Sequence, residues 1–447
     1  MKFEKIALKI PNILLPNKNI DMRHWSVIAC DQYTSDRSYW QKLQQQIGDD
    51  PSCLNLIFPE VYLNDNDNVQ RIEQINKTME QYLADGTLVE QAPGCILLER
   101  KTAHTESRKG LIVALDLDEY DYHKGAKSLI RATEGTILDR LPPRIKVRQN
   151  APIELPHIMV LIDDPQQTVI EPLFHEDLEC VYDFDLIENG GHLCGYRINQ
   201  PHLISQIAQT LEKLADPDNY RRKYQVKDDV MLYAMGDGNH SFATAKALWE
   251  QIKAEAVKSR NIDNILDHPA RYALVELVNL HDPGLEFEPI HRVLFSAERS
   301  TLLTNMENYF TSRNTPFTFT TVATLSEAEK LSNNDCNQHC FPCIIAGEFG
   351  LCSIKNPKYN LVVATLQAFL DHYLSEHGET KLDYIHGSQS VTNLGSQKNC
   401  AGFYLPALSK HALFKTIIID GALPRKTFSM GEADEKRFYL ECRSIKA

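Results

Sequence analysis

The most informative stretch of the sequence is a short apolar strand that opens into a glycine turn and then a helix. It covers residues 231–246 and reads MLYAMGDGNHSFATAK. Glycine allows main-chain amides to approach a ligand closely, and the free N–H groups and positive dipole end of a helix attract an anion such as phosphate. The stretch therefore predicts an anion site, with Asp237, Asn239 and His240 at its mouth.

The side chains of this turn suit phosphate chemistry. Asp237 can hold a divalent cation such as Mg²⁺ or accept a proton from a hydroxyl, and His240 can act as a general acid. We expect Gly238, Asn239 and Ser241 to contact the phosphate. The alternative, in which Asp237 and Asn239 only cap the helix and His240 is merely buried, stays open because caps commonly use these residue types.

The turn fits a dinucleotide-binding loop only in part. Gly236 and Gly238 match the pattern G-x-G-x-x-G, but Ser241 occupies the third glycine position. No strand ending in an acidic residue follows to hold a ribose, and the motifs G-x-S-x-G, H-E-x-x-H and G-x4-G-K-[ST] are absent from the sequence. The missing glycine and acidic residue disfavour a dinucleotide-binding fold, and the absent motifs disfavour a serine hydrolase, a zincin and a P-loop enzyme.

A second segment concentrates basic side chains in a chain that is acidic overall. It covers residues 131–148 and reads RATEGTILDRLPPRIKVR. Guanidinium groups bind phosphate or carboxylate bidentately and hydroxyls add donors, so we expect five residues to bind the ligand: Arg131, Thr133, Thr136, Arg140 and Arg144. Glu134 stands among these cations, so it stays ionised and is a candidate general base. The alternative is that Glu134 only balances the local charge.

Two further groups of residues are weaker signals. His291 and Arg292, at the start of a predicted strand, could complete an anion pocket. The cysteines at 336, 340 and 343, with His339 and Cys352 nearby, invite comparison with a zinc site. Structural zinc sites normally use two well-separated cysteine pairs, so free thiols are the expected state of these cysteines.

Composition and charge disfavour several functional classes. Basic and acidic residues number 47 and 60, so the formal net charge is 47 − 60 = −13, which disfavours nucleic-acid and anionic-membrane binding. No run approaches the ~18–20 apolar residues of a membrane span, and the opening MKFEKIALKIPNILLPN is not a secretory signal. We therefore expect a cytoplasmic protein that acts on a small molecule and keeps its eleven cysteines reduced. The sequence carries no signal for an oligomeric state.

Periodicity predicts an α/β to α+β fold, with mixed sheets and flanking helices around the phosphate-binding strand–turn–helix. Helices are expected at 38–47, 69–83, 203–214, 241–258, 302–310 and 361–376. Strands are expected at 6–10, 95–98, 111–117, 157–162, 231–235, 271–280, 291–295 and 416–419, with a hairpin at 341–354. Changes in pattern suggest three regions, at 1–155, 156–300 and 301–447.

Five segments together resemble the long bacterial branch of the domain-of-unknown-function family DUF1015, over nearly the whole chain. They are residues 25–34 (WSVIACDQYT), 131–148, 236–241, 282–294 and 420–442. Members of that family commonly carry Asp-Gly-His-His-Arg at the turn, where this chain has Asn239 and Ser241 in place of the first His and the Arg. The strand–turn–helix is also similar to the phosphate-binding turn of the ParB, sulfiredoxin and free-serine-kinase superfamily.

Family members are often encoded beside serine-biosynthesis genes, so the resemblance implies a small amino-acid or phospho-acid substrate. Together the signals suggest a nucleotide- or phosphate-binding enzyme that transfers a phosphoryl group to a small hydroxy-acid such as serine, with ATP or ADP and Mg²⁺. Asp237 would bind Mg²⁺ and Glu134 would accept the hydroxyl proton. His240 or His291 would steady the developing charge. The alternatives are a phosphatase of the same substrates, a non-catalytic sensor of a nucleotide or phosphometabolite, and a structural protein.

Overall fold

The computed structural model describes residues 1–260 and 265–446, apart from the side chains of Arg140 and Ala433. The chain divides into two compact units: the first combines Met1–Glu286 with Met430–Ala447, and the second comprises Phe287–Ser429. The segment from residue 430 onward, here called the return segment, therefore belongs to the first unit. The three predicted regions differ from this division because strands on both sides of residue 155 share one sheet.

Helices occur in both units. Within the described ranges the α-helices are α1 (Met22–Trp25), α2 (Arg37–Ile47), α3 (Asn68–Ala84), α4 (Leu141–Arg148), α5 (Pro201–Leu214), α6 (Pro217–Tyr224), α7 (Asn239–Ser259), α8 (Arg299–Thr311), α9 (Leu325–Leu331), α10 (Val362–Glu376), α11 (Ser388–Gly395) and α12 (Lys410–Asp420). None of these described helices is long and apolar enough to cross a membrane.

Strands are mostly short. In the same part of the chain they are β1 (Lys2–Phe3), β2 (Leu8–Lys9), β3 (Leu14–Pro16), β4 (Val27–Ile28), β5 (Leu88–Glu90), β6 (Cys95–Lys101), β7 (Arg108–Asp116), β8 (Tyr120–Asp121), β9 (Ile130–Arg131), β10 (Ile153–Glu154), β11 (Met159–Ile162), β12 (Glu179–Asp185), β13 (His192–Ile198), β14 (Tyr233–Asp237), β15 (Tyr272–Asn279), β16 (Phe287–Phe295), β17 (Phe317–Thr321), β18 (Gln338–Ile345), β19 (Glu348–Lys355), β20 (Lys381–His386), β21 (Cys400–Phe403), β22 (Phe428–Met430), β23 (Phe438–Tyr439) and β24 (Arg443–Ser444).

The first unit is organised around one mixed sheet with the order β12-β13-β6-β7-β15-β11-β14-β9-β8. Every residue of β15 is buried, as expected for a strand covered on both faces. One face packs against α5 and α7, and the other against α2 and α3. The sequence of α5 explains why this helix packs on the sheet. Its apolar residues recur at helical spacing and form one buried face, which consists of Leu203, Ile204, Ile207, Ala208 and Leu211.

The second unit has its own sheet and its own core. Its strands follow the order β17-β19-β18-β21-β16-β20. Apolar side chains of α8 and α10 pack on this sheet, and their buried residues include Leu302, Met306, Leu366 and Phe369. Each unit can therefore bury apolar surface without the other, which is the usual property of a domain.

The mixed α/β class predicted from the sequence is confirmed, and so is the central strand–turn–helix, which is β14 followed by α7. The predicted strand at 416–419 is wrong because these residues lie in α12. A run of branched residues resembled a strand, yet Leu413, Phe414 and Ile417 are buried at helical spacing. The helix ends where Gly421 adopts a φ of 81°. The predicted strand at 6–10 is shortened to β2.

A buried ion network joins the return segment to the middle of the large sheet. Glu276 in β15 is 1% exposed, and its Oε2 lies 2.5 Å from Nη1 of Arg437. Nη2 of Arg437 lies 2.6 Å from Oε2 of the buried Glu441. Burial alone would raise the pKa of Glu276, but the charges of Arg437 and Arg108 outweigh it and hold that pKa below its ordinary value.

Replacing Arg437 by Met is expected to destabilise the first unit by about 3–5 kcal/mol, because Glu276 and Glu441, both buried, lose the guanidinium that pairs with them, and Glu276 keeps only the longer contact with Arg108. Urea unfolding followed by tryptophan fluorescence measures this unit, because Trp25, Trp40 and Trp249 all belong to it. The matched control is Arg221→Met, which removes a half-exposed guanidinium 3.7 Å from Asp218 and should cost at most about 0.5 kcal/mol. If the free energy of unfolding of the Arg437 variant fell by less than about 1 kcal/mol, the buried ion network would not be a major source of stability for the first unit.

Candidate functional site

Three strands place the predicted turn at one edge of the large sheet. β9 and β14 are parallel, with Ala234 opposite Arg131, so the residues that follow both strands emerge on the same side. β11 runs antiparallel to β14 with Met159 opposite Asp237, so the residues just before β11 reach this edge too. Ligands of α/β proteins bind beyond the carboxyl ends of parallel strands, which makes this edge the candidate site.

The turn between β14 and α7 depends on Gly238. Its φ is 76°, and a Cβ at this position would lie 3.0 Å from the Cα of Ile158. Oδ1 of Asp237 accepts a hydrogen bond from the Gly238 N–H at 2.8 Å. Gly238 is the N-cap residue of α7 and provides no side-chain cap, so the helix begins without the cap that the alternative interpretation required.

Asn239 connects the turn to the basic segment. Its side chain is 9% exposed, and Nδ2 donates to Oγ1 of the buried Thr133 at 3.5 Å. Oδ1 of Asn239 is buried and has no hydrogen-bond partner among the described residues. An unsatisfied buried oxygen is costly, so its presence beside an uncapped helix is typical of a site that is completed by a ligand. Oγ1 of Thr136 is another buried atom without a partner in the described part of the chain.

His157 is the best-connected side chain at this edge. It is 6% exposed, and Nδ1 lies 2.7 Å from the Tyr439 hydroxyl. Nε2 lies 3.3 Å from Oγ of Ser241 and 3.4 Å from Oδ2 of Asp31. In a serine hydrolase the carboxylate and the serine occupy opposite ring nitrogens, whereas here both face Nε2. The arrangement therefore does not form such a triad.

The surroundings of the His157 imidazole favour its charged form. Burial alone would lower the pKa of His157, but the charge and hydrogen bond of Asp31 outweigh it, so the pKa is raised above 6.5. Burial would likewise raise the pKa of Asp31, and the charge of His157 instead lowers it below 3.8. The pair thus places an imidazole with a raised pKa, together with the carboxylate that raises it, near the N-terminus of α7.

Two other groups complete this edge. Nζ of Lys436 lies 3.3 Å from Oδ2 of Asp237. The Tyr439 hydroxyl donates to Sγ of Cys30 at 3.0 Å, so its oxygen accepts from Nδ1–H of His157. Burial, with the charge of Asp31, raises the pKa of the Cys30 thiol to about 12. Cys30 is therefore a protonated thiol at neutral pH and not a nucleophile.

A cavity of about 140 Å³ adjoins the first turn of α7. Much of its wall is apolar. Its polar lining includes Cys30, Glu60, Arg144, His157, Ser241 and Tyr439. The guanidinium of Arg144 pairs with the Glu60 carboxylate at this wall. A cavity of roughly 150 Å³ holds a molecule the size of benzene, so there is room for a small organic acid.

The remaining predicted site residues differ in their surroundings. Arg131 is 3% exposed, and its Nε and Nη2 donate to the carbonyls of Ser128 at 2.9 Å and Asp229 at 2.8 Å. These donors tie loops together and are not directed at a ligand. Glu134 follows Thr133 at the edge and is half-buried. The side chain of Arg140 lies outside the described residues.

His291 and Arg292 belong to the second unit, where their polar groups are already engaged. Nδ1 of His291 accepts from the main-chain N–H of Leu405 at 3.0 Å, and burial lowers its pKa to about 4. Arg292 is fully buried and donates to Oε1 of Gln367 at 2.9 Å and to the Ile290 carbonyl at 2.6 Å. These contacts stabilise the interior of the second unit and give no support to a ligand-binding role.

The cysteines of the predicted cluster are free thiols, and Cys340, Cys343 and Cys352 are buried. Among the described residues, the one group of three or more His, Cys, Asp or Glu side chains close enough to share a metal ion is Asp183, His192 and Cys194. In the part of the chain that was described, Asp237 is therefore not a member of a preformed metal cluster.

The side chains that contact the turn carry no local signal in the sequence. The predicted strand at 157–162 includes His157 but gives it no chemical role. Lys436 and Tyr439 lie about 200 residues from the turn in the sequence. The segments 25–34 and 420–442, which resemble the family, do contain Asp31, Lys436 and Tyr439. That resemblance was the available signal, but it did not specify contacts.

Replacing Asp31 by Asn should lower the pKa of His157, because burial is then opposed only by the charges of Asp237 and Glu60. A histidine-detected NMR titration measures this value, with the His157→Gln spectrum assigning the resonance. Asp50→Asn is the matched control, since Asp50 pairs with the surface His24 at 2.6 Å and should leave His157 unchanged. An unaltered His157 titration in the Asp31 variant would refute the proposed charge pair.

Comparison with solved structures finds only remote similarity. A conserved hypothetical protein from Pyrococcus furiosus has a TM-score of 0.35 and 11% identity, covering 75% of this chain and 95% of that chain. A mutant of free serine kinase in complex with ADP has a TM-score of 0.38 and 10% identity, covering 78% and 95%. SbnI from Staphylococcus aureus, truncated at its C-terminus, has a TM-score of 0.34 and 9% identity, covering 72% and 82%. Scores this low carry no argument about activity.

Comparison with curated proteins finds no match. Residues 14–373 match the family described as "Protein of unknown function (DUF1015)". The match spans most of the chain, including β9, β11, β14 and α7 of the candidate site, and ends before the return segment with Lys436 and Tyr439. The chain therefore belongs to the DUF1015 family.

Proposed function

We propose that the chain binds the phosphate of a nucleotide, ATP or ADP, at the N-terminus of α7 and transfers a phosphoryl group to a small hydroxy-acid such as serine. The observation that supports this most directly is that α7, a 21-residue helix, begins at the glycine turn without a side-chain cap. The buried, unsatisfied Oδ1 of Asn239 beside it is an acceptor, so it would take a hydrogen bond from a donor on the ligand or coordinate Mg²⁺. A helix of this length presents a partial positive charge at its first turn. A phosphate there would receive main-chain N–H donors without a rearrangement of the fold.

Two side chains around the turn could assist an anion. His157, whose pKa is raised, and the ammonium of Lys436 lie at the same edge as the helix N-terminus, and each would have to share its carboxylate partner with the phosphate. The N–H of Gly238 is occupied by Asp237, so the amides that follow it in the first turn are the ones available to the phosphate. Arg131 would contribute only its long-range charge, because two of its donor groups are bound to carbonyls.

Asp237 is the proposed Mg²⁺ ligand. Its carboxylate is partly exposed and forms an ion pair with Lys436 at 3.3 Å. Mg²⁺ is often bound through one or two carboxylates, with phosphate oxygens and water filling its other positions. A single aspartate at the mouth of the turn fits this pattern. When bound, the ion would neutralise charge on the phosphates.

The cavity beside the turn is the proposed acceptor site. Arg144 would bind the carboxylate of the hydroxy-acid, which competes for it with Glu60. The acceptor hydroxyl oxygen would attack the terminal phosphorus, its proton would pass to Glu134, and ADP would leave. His240 would donate to a phosphate oxygen as charge develops. Positioning and charge neutralisation supply most of the catalysis in such a reaction.

Asn239→Ala is expected to weaken ADP binding about tenfold, or roughly 1.4 kcal/mol, because the phosphate then loses the side chain that lines its position. Isothermal titration calorimetry measures the dissociation constant. Asn305→Ala removes a half-buried asparagine on α8, in the second unit, and should leave the affinity unchanged. Equal affinities for the Asn239 variant and the wild type would exclude this turn as the phosphate site.

Glu134→Gln should abolish phosphoryl transfer and keep ADP affinity within about twofold, because it removes the proton acceptor and not the phosphate donors. Phosphorus NMR of the protein with ATP, Mg²⁺ and serine follows the appearance of phosphoserine. Glu119→Gln, an exposed glutamate at the end of a short 3₁₀ turn, is the control and should retain turnover. Nucleotide binding without turnover in the wild type would identify a sensor and overturn the enzymatic proposal.

A further inference from the structure

A second cluster of reactive side chains lies on the hairpin formed by β12 and β13. Nε2 of His192 lies 2.7 Å from Oδ1 of Asp183 and 3.4 Å from Sγ of Cys194. The potential ligand atoms of these three residues all lie within 4.8 Å of one another. They belong to the first unit and do not line the cavity beside α7.

The strand register places these side chains on one face of the hairpin. Asp183 pairs directly with Cys194, and Asp185 pairs directly with His192. Residues two apart on a strand point to the same face, so both cross-strand pairs present their side chains together. The cluster therefore follows from the backbone of two paired strands.

The second nitrogen of His192 has the partner that metal-binding histidines normally use. Nδ1 lies 2.7 Å from Oδ1 of Asp185. A metal-ligating histidine almost always donates its other ring N–H to a carboxylate or carbonyl, which fixes the tautomer and the ring orientation. Here Nε2, which donates to Asp183 in the structure, would bind the ion in place of its proton while Asp185 holds the ring in position.

The separations agree with the size of a tetrahedral zinc site. Zn–S and Zn–N bonds of about 2.3 and 2.05 Å give a tetrahedral S···N edge of about 3.6 Å, close to the 3.4 Å between Cys194 and His192. The corresponding O···N edge is about 3.3 Å, so Asp183 would move away from His192 by roughly 0.6 Å. The Asp183 side chain is 57% exposed and is free to make this adjustment.

We infer that Asp183, His192 and Cys194 form a zinc-binding site with one position open to water. A thiolate and an imidazole select a borderline-soft ion such as Zn²⁺ over Mg²⁺ or Ca²⁺, which prefer oxygen ligands. The ion would replace the thiol proton of Cys194 and join β12 to β13 at the edge of the sheet. This site is independent of the proposed phosphate chemistry.

The test uses the full-length chain, stripped of metal and kept in a phosphine reductant. Titration with Co²⁺, a spectroscopic substitute for Zn²⁺, should produce a thiolate-to-cobalt charge-transfer band that saturates at one equivalent. Added Zn²⁺ should remove the band by displacement. Cys194→Ser should abolish the band, and His192→Gln should weaken Co²⁺ binding at least tenfold.

Cys336→Ser is the matched control, because it removes an exposed cysteine of the second unit and should leave the band intact. Far-ultraviolet circular dichroism verifies that each variant is folded. A wild type without a charge-transfer band, or a Cys194 variant that keeps it, would overturn the assignment. A band lost only with Cys180→Ser would also overturn it, because the thiolate would then belong to a different residue.

Discussion

The interaction on which much of the first unit depends is the burial of Glu276 in the middle of β15. A carboxylate at 1% exposure needs a cation, and Arg437 of the return segment supplies it. Once Arg437 is fixed, its neighbours are fixed too: Tyr439 reaches His157, and Lys436 reaches Asp237. A pair of buried charges in the core thus sets the position of two side chains at the candidate site.

The site combines local and distant contributions to its charge. The helix N-terminus is a local property of the strand–turn–helix, whereas the pKa of His157 is raised chiefly because Asp31 approaches it from a remote part of the sequence. The chain carries a net charge of −13, so overall charge gives no indication that His157 and Lys436 lie together at this edge. If the edge binds an oxyanion, as proposed, it does so through local geometry and not through average composition.

The sequence predicted those parts of the fold that depend on short-range pattern. Helical spacing identified α5 and α7. The two glycines predicted the turn between β14 and α7, and the structure agrees, because Gly238 has a positive φ that other residues rarely adopt. The residues at 416–419 were misassigned because branched side chains also occur in buried helices. The sequence gives His157 no role, because its partners are remote from it in the chain. Asp31 lies in the loop after β4, and Tyr439 lies in the return segment. Such contacts depend on tertiary packing.

The discontinuity of the first unit has a consequence for biosynthesis. Residues 287–429 leave the ribosome before the return segment does, so during that interval Glu276 lacks Arg437 and has Arg108 of β7, 3.7 Å away, as its nearby cation. Domains that are contiguous in sequence can fold during translation, but this sheet cannot complete its internal ion network until the insertion has been made. The first unit therefore reaches its full set of buried ion pairs only after the second unit has been synthesised.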